Sequence, residues 1–254
     1  MSAIGTGYDL SASQYSPDGR VFQVEYAKKA VDNSGNVIAI RGKDGVVIAT
    51  EKFVMSKLYE PHSNPRLFSI AEHISCGVAG FYPDAKALVD QARGYAEEFR
   101  NDHGYAIPLT TLKDRLGSYV GAYTCSSAVR PFGASLLLAA FDEVPLLYMV
   151  EPSGAAVGFH YVAAGKGKQA AKAELEKLKH STMTCRELVK EAARIIHVIH
   201  DEVKDKDFRL ELGWIGSFTN GEHQLVPEDV YKEAEQYAKD SIADDSSDEE
   251  MAAR

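Results

Sequence analysis

Cysteine is scarce in this chain. Among 254 residues there are three, Cys76, Cys125 and Cys185, far apart and never in a CxxC pair. An odd, scattered set argues against a disulfide framework or a zinc site built on thiolates, and it fits a reducing compartment. Long apolar runs are missing as well: the longest, Ala134 to Phe141, falls far short of the ~20 residues needed to span a bilayer. Met1 to Gly7 has neither a basic nor an apolar region of the kind that starts a secretory signal, so none is expected. Basic charge is in deficit. With 28 Lys and Arg against 37 Asp and Glu the net charge is −9, which argues against nucleic acid or an anionic membrane as the main partner. What is present is length and apolar content, 45% hydrophobic. A single domain of this size buries roughly 75% of its unfolded surface, so a core needs no covalent or metal support.

Charge is unevenly placed. Asp240 to Arg254 holds six acids and one base, leaving only −4 for everything before it. Asp244 to Arg254 lacks residues that pack, so a solvated, disordered acidic tail is expected there, after one domain over 1–243. Strands are expected at Asn36–Ile40 and Val46–Thr50, joined by Gly42-Lys43-Asp44-Gly45, and at Leu67–Ile70 and His73–Ala79. Phe132–Phe141 is apolar on both faces, Val144–Val150 follows, and Ala155–Gly165 alternates weakly. Leu210–Ser217 and His223–Val226 flank the turn Asn220-Gly221. Helices are expected from Pro83, from Pro108 to about Tyr123, and from Lys168 to about Lys179. Two more follow, one after the Thr184–Glu187 capping box and one from Pro227. Paired helices between hairpin-like strands favour antiparallel sheets over a βαβ arrangement. The fold class is therefore α+β, two stacked antiparallel sheets with helix pairs outside.

Several candidate sites fail on context. Gly165-Lys166-Gly167-Lys168-Gln169-Ala170 fits the dinucleotide pattern G-x-G-x-x-A, with Glu187 about twenty residues on. The helix after it leads into another helix instead of a parallel strand, so a tight strand-to-helix turn is the better account. His197, His200 and Asp201 are spaced to hold a metal, but no third histidine or HExxH accompanies them; helix-boundary histidines are expected, and no metal or cofactor. Gly133-Ala134-Ser135-Leu136-Leu137 breaks the nucleophile-elbow pattern at its last glycine. Ser246 and Ser247 each have a glutamate three residues downstream and would suit an acid-directed kinase.

The informative segment is Tyr8-Asp9-Leu10 followed by Ser16-Pro17-Asp18-Gly19-Arg20-Val21-Phe22-Gln23-Val24-Glu25-Tyr26-Ala27. Ser16 to Gly19 is a type I turn sequence that launches a helix with Phe22, Tyr26, Ala27, Ala30 and Val31 on one side. This pattern resembles the signature of the α-type subunits of the proteasome core particle. The resemblance continues through Asp44-Gly45-Val46-Val47, Ala79-Gly80, Val129-Arg130-Pro131-Phe132-Gly133, Pro152-Ser153-Gly154 and Gly165-Lys166-Gly167. Ile4 to Ser13, His200 to Lys206 and the acid–serine tail narrow it to one branch of that family.

The resemblance implies a four-layer αββα sandwich of the N-terminal-nucleophile hydrolase type. It implies partners too: other α subunits in a seven-membered ring, β subunits of the adjacent ring, and the regulatory particle or other activators. The work would be ubiquitin-dependent protein degradation, in cytoplasm and nucleus. Hydrolysis belongs to the β subunits, whose N-terminal threonine supplies both nucleophile and free amine. That threonine position falls near Gly35, the β-type aspartate on Glu51 and the lysine on or beside Arg66, so no catalytic residue is expected. The helix over 20–33 is then retained, and residues 1–15 form a gate tail. Tyr8, Asp9, Pro17 and Tyr26 match the cluster that holds this tail open, with Leu10 where the family often has arginine. Arg66 and Gly80 match the pocket that receives activator tails, with arginine in place of the usual lysine.

Overall fold

The computed structural model describes residues 7–54, 56–60, 63–200 and 207–252, with side chains through 242. The expected hairpin is there: β1 (Val37–Arg41) pairs antiparallel with β2 (Gly45–Phe53), Val37 opposite Thr50 and Arg41 opposite Val46. β3 (Leu67–Ala71) and β4 (Ile74–Gly80) form the second pair. β5 (Ala134–Asp142) and β6 (Val144–Val150) join β4, and β9 (Phe208–Gly216) joins β2 along its whole length. The turn Asn220-Gly221 has both residues at positive φ, 54° and 75°, and leads to the two-residue β10 (Gln224–Leu225).

The segment expected as one strand over Ala155–Gly165 is two. β7 (Ala156–Gly158) closes one sheet and β8 (Tyr161–Ala164) closes the other. The switch takes two residues: the Phe159 N–H still bonds to Leu147 O, and His160 O already accepts from the Arg41 N–H. The result is two five-stranded antiparallel sheets, ordered β10-β9-β2-β1-β8 and β3-β4-β5-β6-β7.

Helices cover both outer faces. α1 (Phe22–Asp32) precedes the first strand; α2 (Tyr82–His103) and α3 (Leu109–Ala122) follow β4; α4 (Lys168–Glu176) and α5 (Cys185–Ile199) follow β8; α6 (Glu228–Ala252) ends the chain. Thr184 and Glu187 form the capping box at the start of α5. α4 stops three residues short of the expected Lys179, and a 3-10 turn at His180–Thr182 lies between it and α5. α6 differs more. Its backbone stays helical through Asp244–Glu250, where composition predicts a disordered tail; no Gly or Pro after Glu228 stops it, and Glu, Ala and Met favour helix. Ser246 and Ser247 lie in this stretch, outside the described side chains.

Alternation within each strand sorts the core into three layers. Ile38, Ile40, Val47 and Ala49 pack under α5 and α6, with Leu188, Ile195 and Ala234. Their neighbours Val37, Ala39, Val46 and Ile48 face Leu137, Ala139 and Leu147 between the sheets. Leu136, Leu138 and Ala140 pack under α2 and α3, with Leu88 and Leu112. This explains why residues 134–140 lack a polar face: both faces are covered. The layers run α, β, β, α, as expected.

Candidate functional site

The start of β1 is the place to look for chemistry, because α1, β2, β4 and the loop after β8 all end there. Gly35 occupies the expected nucleophile position, and it has no room for a side chain. A Cβ built on it would lie 2.5 Å from the Glu51 carbonyl oxygen and 3.3 Å from Phe53 Cε2. Ser34, one residue earlier, is spent on structure: its Oγ donates to Val31 O at 2.8 Å and accepts from the Gly80 N–H at 2.8 Å.

Glu51 points into the same corner with its side chain fully buried, and three donors satisfy it. The Asn36 N–H and Nδ2 donate to Oε2 at 2.9 and 2.7 Å, and His200 Nδ1 donates to Oε1 at 2.6 Å. The His200 ring also lies against Phe208, centroids 4.4 Å apart. So the carboxylate at the β-type aspartate position ties the end of α5 to the start of β1. The sequence alone places His200 only at a helix boundary; the acid Glu51 within β2 is a weak signal for its role, because the polar Thr50 and Lys52 flank it. As a metal ligand His200 is engaged, Asp201 lies outside the described residues, and no group of three metal-binding side chains occurs among the described residues.

The Gly165-Lys166-Gly167 loop is fastened to this corner. The Lys166 N–H donates to Ser34 O at 3.0 Å, and the Gly167 N–H donates to Asn36 Oδ1 at 2.5 Å. Gly165 has φ +108°, and a Cβ there would meet Gly35 O at 2.5 Å, so only glycine fits. Backbone donors that would cradle a pyrophosphate are used inside the chain, and the nucleotide reading of the loop fails on this ground.

Arg66 and Gly80 are brought together. Arg66 Nη1 donates to Gly80 O at 3.1 Å, its backbone N–H donates to Glu211 Oε2 at 2.7 Å, and the guanidinium sits 5.2 Å over the Tyr82 ring. Burial lowers the Arg66 pKa from its ordinary range. The cation is thus engaged within its own chain.

The N-terminal cluster is partly assembled. Tyr26 O–H donates to Asp9 Oδ2 at 3.2 Å, and Gln23 Nε2 donates to Asp9 O. Burial and the Asp9 carboxylate push the Tyr26 phenol above its ordinary range. Pro17 lies in the expected turn, closed by the Gly19 N–H to Ser16 O bond of 2.9 Å. Tyr8 is exposed and makes no hydrogen bond to Asp9 or Tyr26 among the described contacts. Residues 1–6 of the expected gate tail lie outside the described residues.

Two stacked antiparallel sheets between helix layers, a turn-and-helix prelude and a first strand with a bare start define the class: the chain belongs to the proteasome subunit family, and to its α type. A family model described as "Proteasome subunit" matches residues 31–215, and a second, describing the N-terminal signature of A-type proteasome subunits, matches residues 8–30. Among curated relatives, the proteasome alpha type-3 subunit of Dictyostelium discoideum is 52% identical over 245 residues, covering 96% of this chain and 99% of that one. The alpha type-3 subunit of Drosophila melanogaster is 52% identical over 98% of this chain and 99% of its own. That of Arabidopsis thaliana is 48% identical over 98% and 100%.

Proposed function

We propose that this chain is a non-catalytic subunit of the outer α ring of the proteasome core particle. It helps form the gated pore through which substrates enter and part of the surface on which activators dock, in ubiquitin-dependent degradation. The observation that carries this reading is Gly35. Threonine chemistry needs a hydroxyl and a free α-amino group on one residue; here the residue has no side chain, and no space for one. The partners are other α subunits in a seven-membered ring, β subunits of the next ring, and the regulatory particle or other activators. Asp9 and Tyr26, with Tyr8 and Pro17 nearby in sequence, hold the gate tail. Arg66 and Gly80 form part of an activator-tail pocket. The particle works in cytoplasm and nucleus, which imaging of a tagged chain tests.

Native mass of the purified material, paired with a peptide-hydrolysis assay, is the decisive experiment. A large hetero-oligomer whose hydrolysis rises when Met1 to Gly7 is deleted supports the reading. A stable monomer with its own turnover rejects it, and unchanged hydrolysis after the deletion rejects the gate. Ser246 and Ser247 are phosphorylated on this reading; phosphatase treatment that shifts no species removes that part of the proposal.

A further inference from the structure

The sheet that carries the bare site has an open edge. β8 pairs with β1 alone, and no described strand lies beyond it. Because the Arg41 N–H bonds to His160 O, residues 160, 162 and 164 turn their backbone groups toward β1, while Tyr161 and Ala163 turn theirs outward. Unpaired groups of this kind are a template for another strand.

A groove of about 430 Å³ runs beside this edge. One wall is Met149 and Phe159, at the margin of the core between the sheets; the other is α4, which contributes Lys168 and Lys172. Side chains alternate across β8, Val162 toward the inter-sheet core and Ala163 toward the helices. A strand added to the edge inherits that alternation. Every second side chain then faces α4, and the others face Met149 and Phe159.

The charge is equally directional. The chain is net −9, yet the groove is cationic. The carboxylate among its lining residues, Glu151, is held by Lys28 Nζ at 2.7 Å. Lys172 has only a 3.8 Å contact to Glu176, with both side chains more than half exposed, and Lys168 has no ion pair among the described residues. Lys168 and Lys172 are one turn apart, about 6 Å along the helix. Alternate residues of a strand are about 6.8 Å apart. Two acids separated by one residue therefore match the two lysines, and the flanking residues put aliphatic groups against Met149 and Phe159.

We propose that the β8 edge takes up an extended segment of another protein, with acids at alternate positions and aliphatic residues between them, as a sixth strand. This surface lies outside the gate and pocket residues, and the inference does not rest on membership of a ring. The test is titration of a fluorescein-labelled peptide, SVEIEVS, into the full chain at low ionic strength, beside its SVQIQVS and SVKIKVS counterparts. Saturable binding of the acidic peptide is expected, with affinity about tenfold lower for the amide version or for Lys168→Glu with Lys172→Glu, the scale of two exposed ion pairs lost. In the parent chain, hydrogen exchange at the Tyr161 and Ala163 amides slows when peptide is bound. Absence of saturable binding, equal binding of all three peptides, or protection at other amides overturns the proposal. The exchange readout needs no variant, so a misfolded double substitution leaves the test intact.

Discussion

Replacing Gly35 by alanine asks whether the first strand has room for any side chain at the nucleophile position. The added Cβ falls 2.5 Å from the Glu51 carbonyl oxygen. That oxygen cannot swing aside as a side-chain tip does, because Glu51 lies within β2, opposite Leu210 of β9, and its N–H bonds to Asn36 O at 2.7 Å. Either the backbone separates or the Asn36–Glu51 contacts lengthen. Overpacking of a dense interior costs about 1–3 kcal/mol, and a weakened buried hydrogen bond adds about 1 kcal/mol. The expected loss is about 2–4 kcal/mol, or about 4–16 °C in Tm for a chain of this length. Gly94→Ala is the matched control: Gly94 is exposed within α2 with nothing within 4 Å of a Cβ, so alanine should stabilise by about 0.5–1 kcal/mol. Urea unfolding followed by the fluorescence of Trp214, the single tryptophan, reads both. Gly35→Ala within about 0.5 kcal/mol of the parent would refute the steric reasoning, since that is the range of neutral surface changes. Peptide hydrolysis by Gly35→Thr alone would refute the chemical reasoning.

Glu51→Gln replaces an acceptor oxygen with a donor facing Asn36 or His200; a loss of about 1–3 kcal/mol is expected. A double-mutant cycle with His200→Gln should show coupling, and additive losses would mean the pair does not act together. For Asp84, burial raises the pKa, but hydrogen bonds from Arg130 (2.5 and 2.8 Å) and the Gly133 N–H (2.9 Å) outweigh it and hold the carboxyl below its ordinary range. A depressed folded pKa stabilises fully above the unfolded value of about 3.9 and loses that contribution as pH falls through the folded value. Asp84→Asn should therefore lower the urea midpoint at pH 7, with the difference from the parent shrinking on acidification below about pH 4; a constant difference contradicts the assignment. Tyr26→Phe removes the O–H to Asp9; on the proposed gate reading it should lower activator-stimulated peptide hydrolysis of the assembled particle, and an unchanged stimulated rate would separate this contact from the gate.

Strands and helices were readable in the sequence wherever one local rule decided them. Thr184 and Glu187 marked a helix start, and residues 134–140 declared a strand covered on both faces. The failures came where a local rule had to yield to tertiary placement. Weak alternation over 155–165 could not reveal a change of sheet at residues 159–160, because the swap is from Leu147 of the preceding strand to Arg41, which is remote in the chain. At the site, alignment with the family marked the position of Gly35, and its lack of a side chain could then be read directly. The Glu51–His200 contact joins residues 149 apart and leaves no local trace. Arg66 was placed by alignment with the family, but the direction of its guanidinium follows from Gly80 and Tyr82, which only the fold brings near.

The bare start of β1 and the helix before it are one structural choice. A threonine-type site must be exposed as a new chain end, so whatever precedes the nucleophile has to detach and leave an amine in solvent. Here the opposite is built. Val31 and Gly80 hold Ser34, Lys166 binds Ser34 O, Gly165 crowds Gly35, and Glu51 grips Asn36 from within. Each contact that closes the space of a nucleophile also fastens the exit of α1. A chain end released at Gly35 would break the covalent link from Ser34, and with it the connection through which α1 is positioned. The same residues that leave no room for a side chain at Gly35 therefore give α1 a fixed base, and α1 in turn holds Asp9 through Gln23 and Tyr26. On the proposed reading, a gate segment can be aimed only from a fixed base, and the contacts that close the corner around Gly35 supply that base.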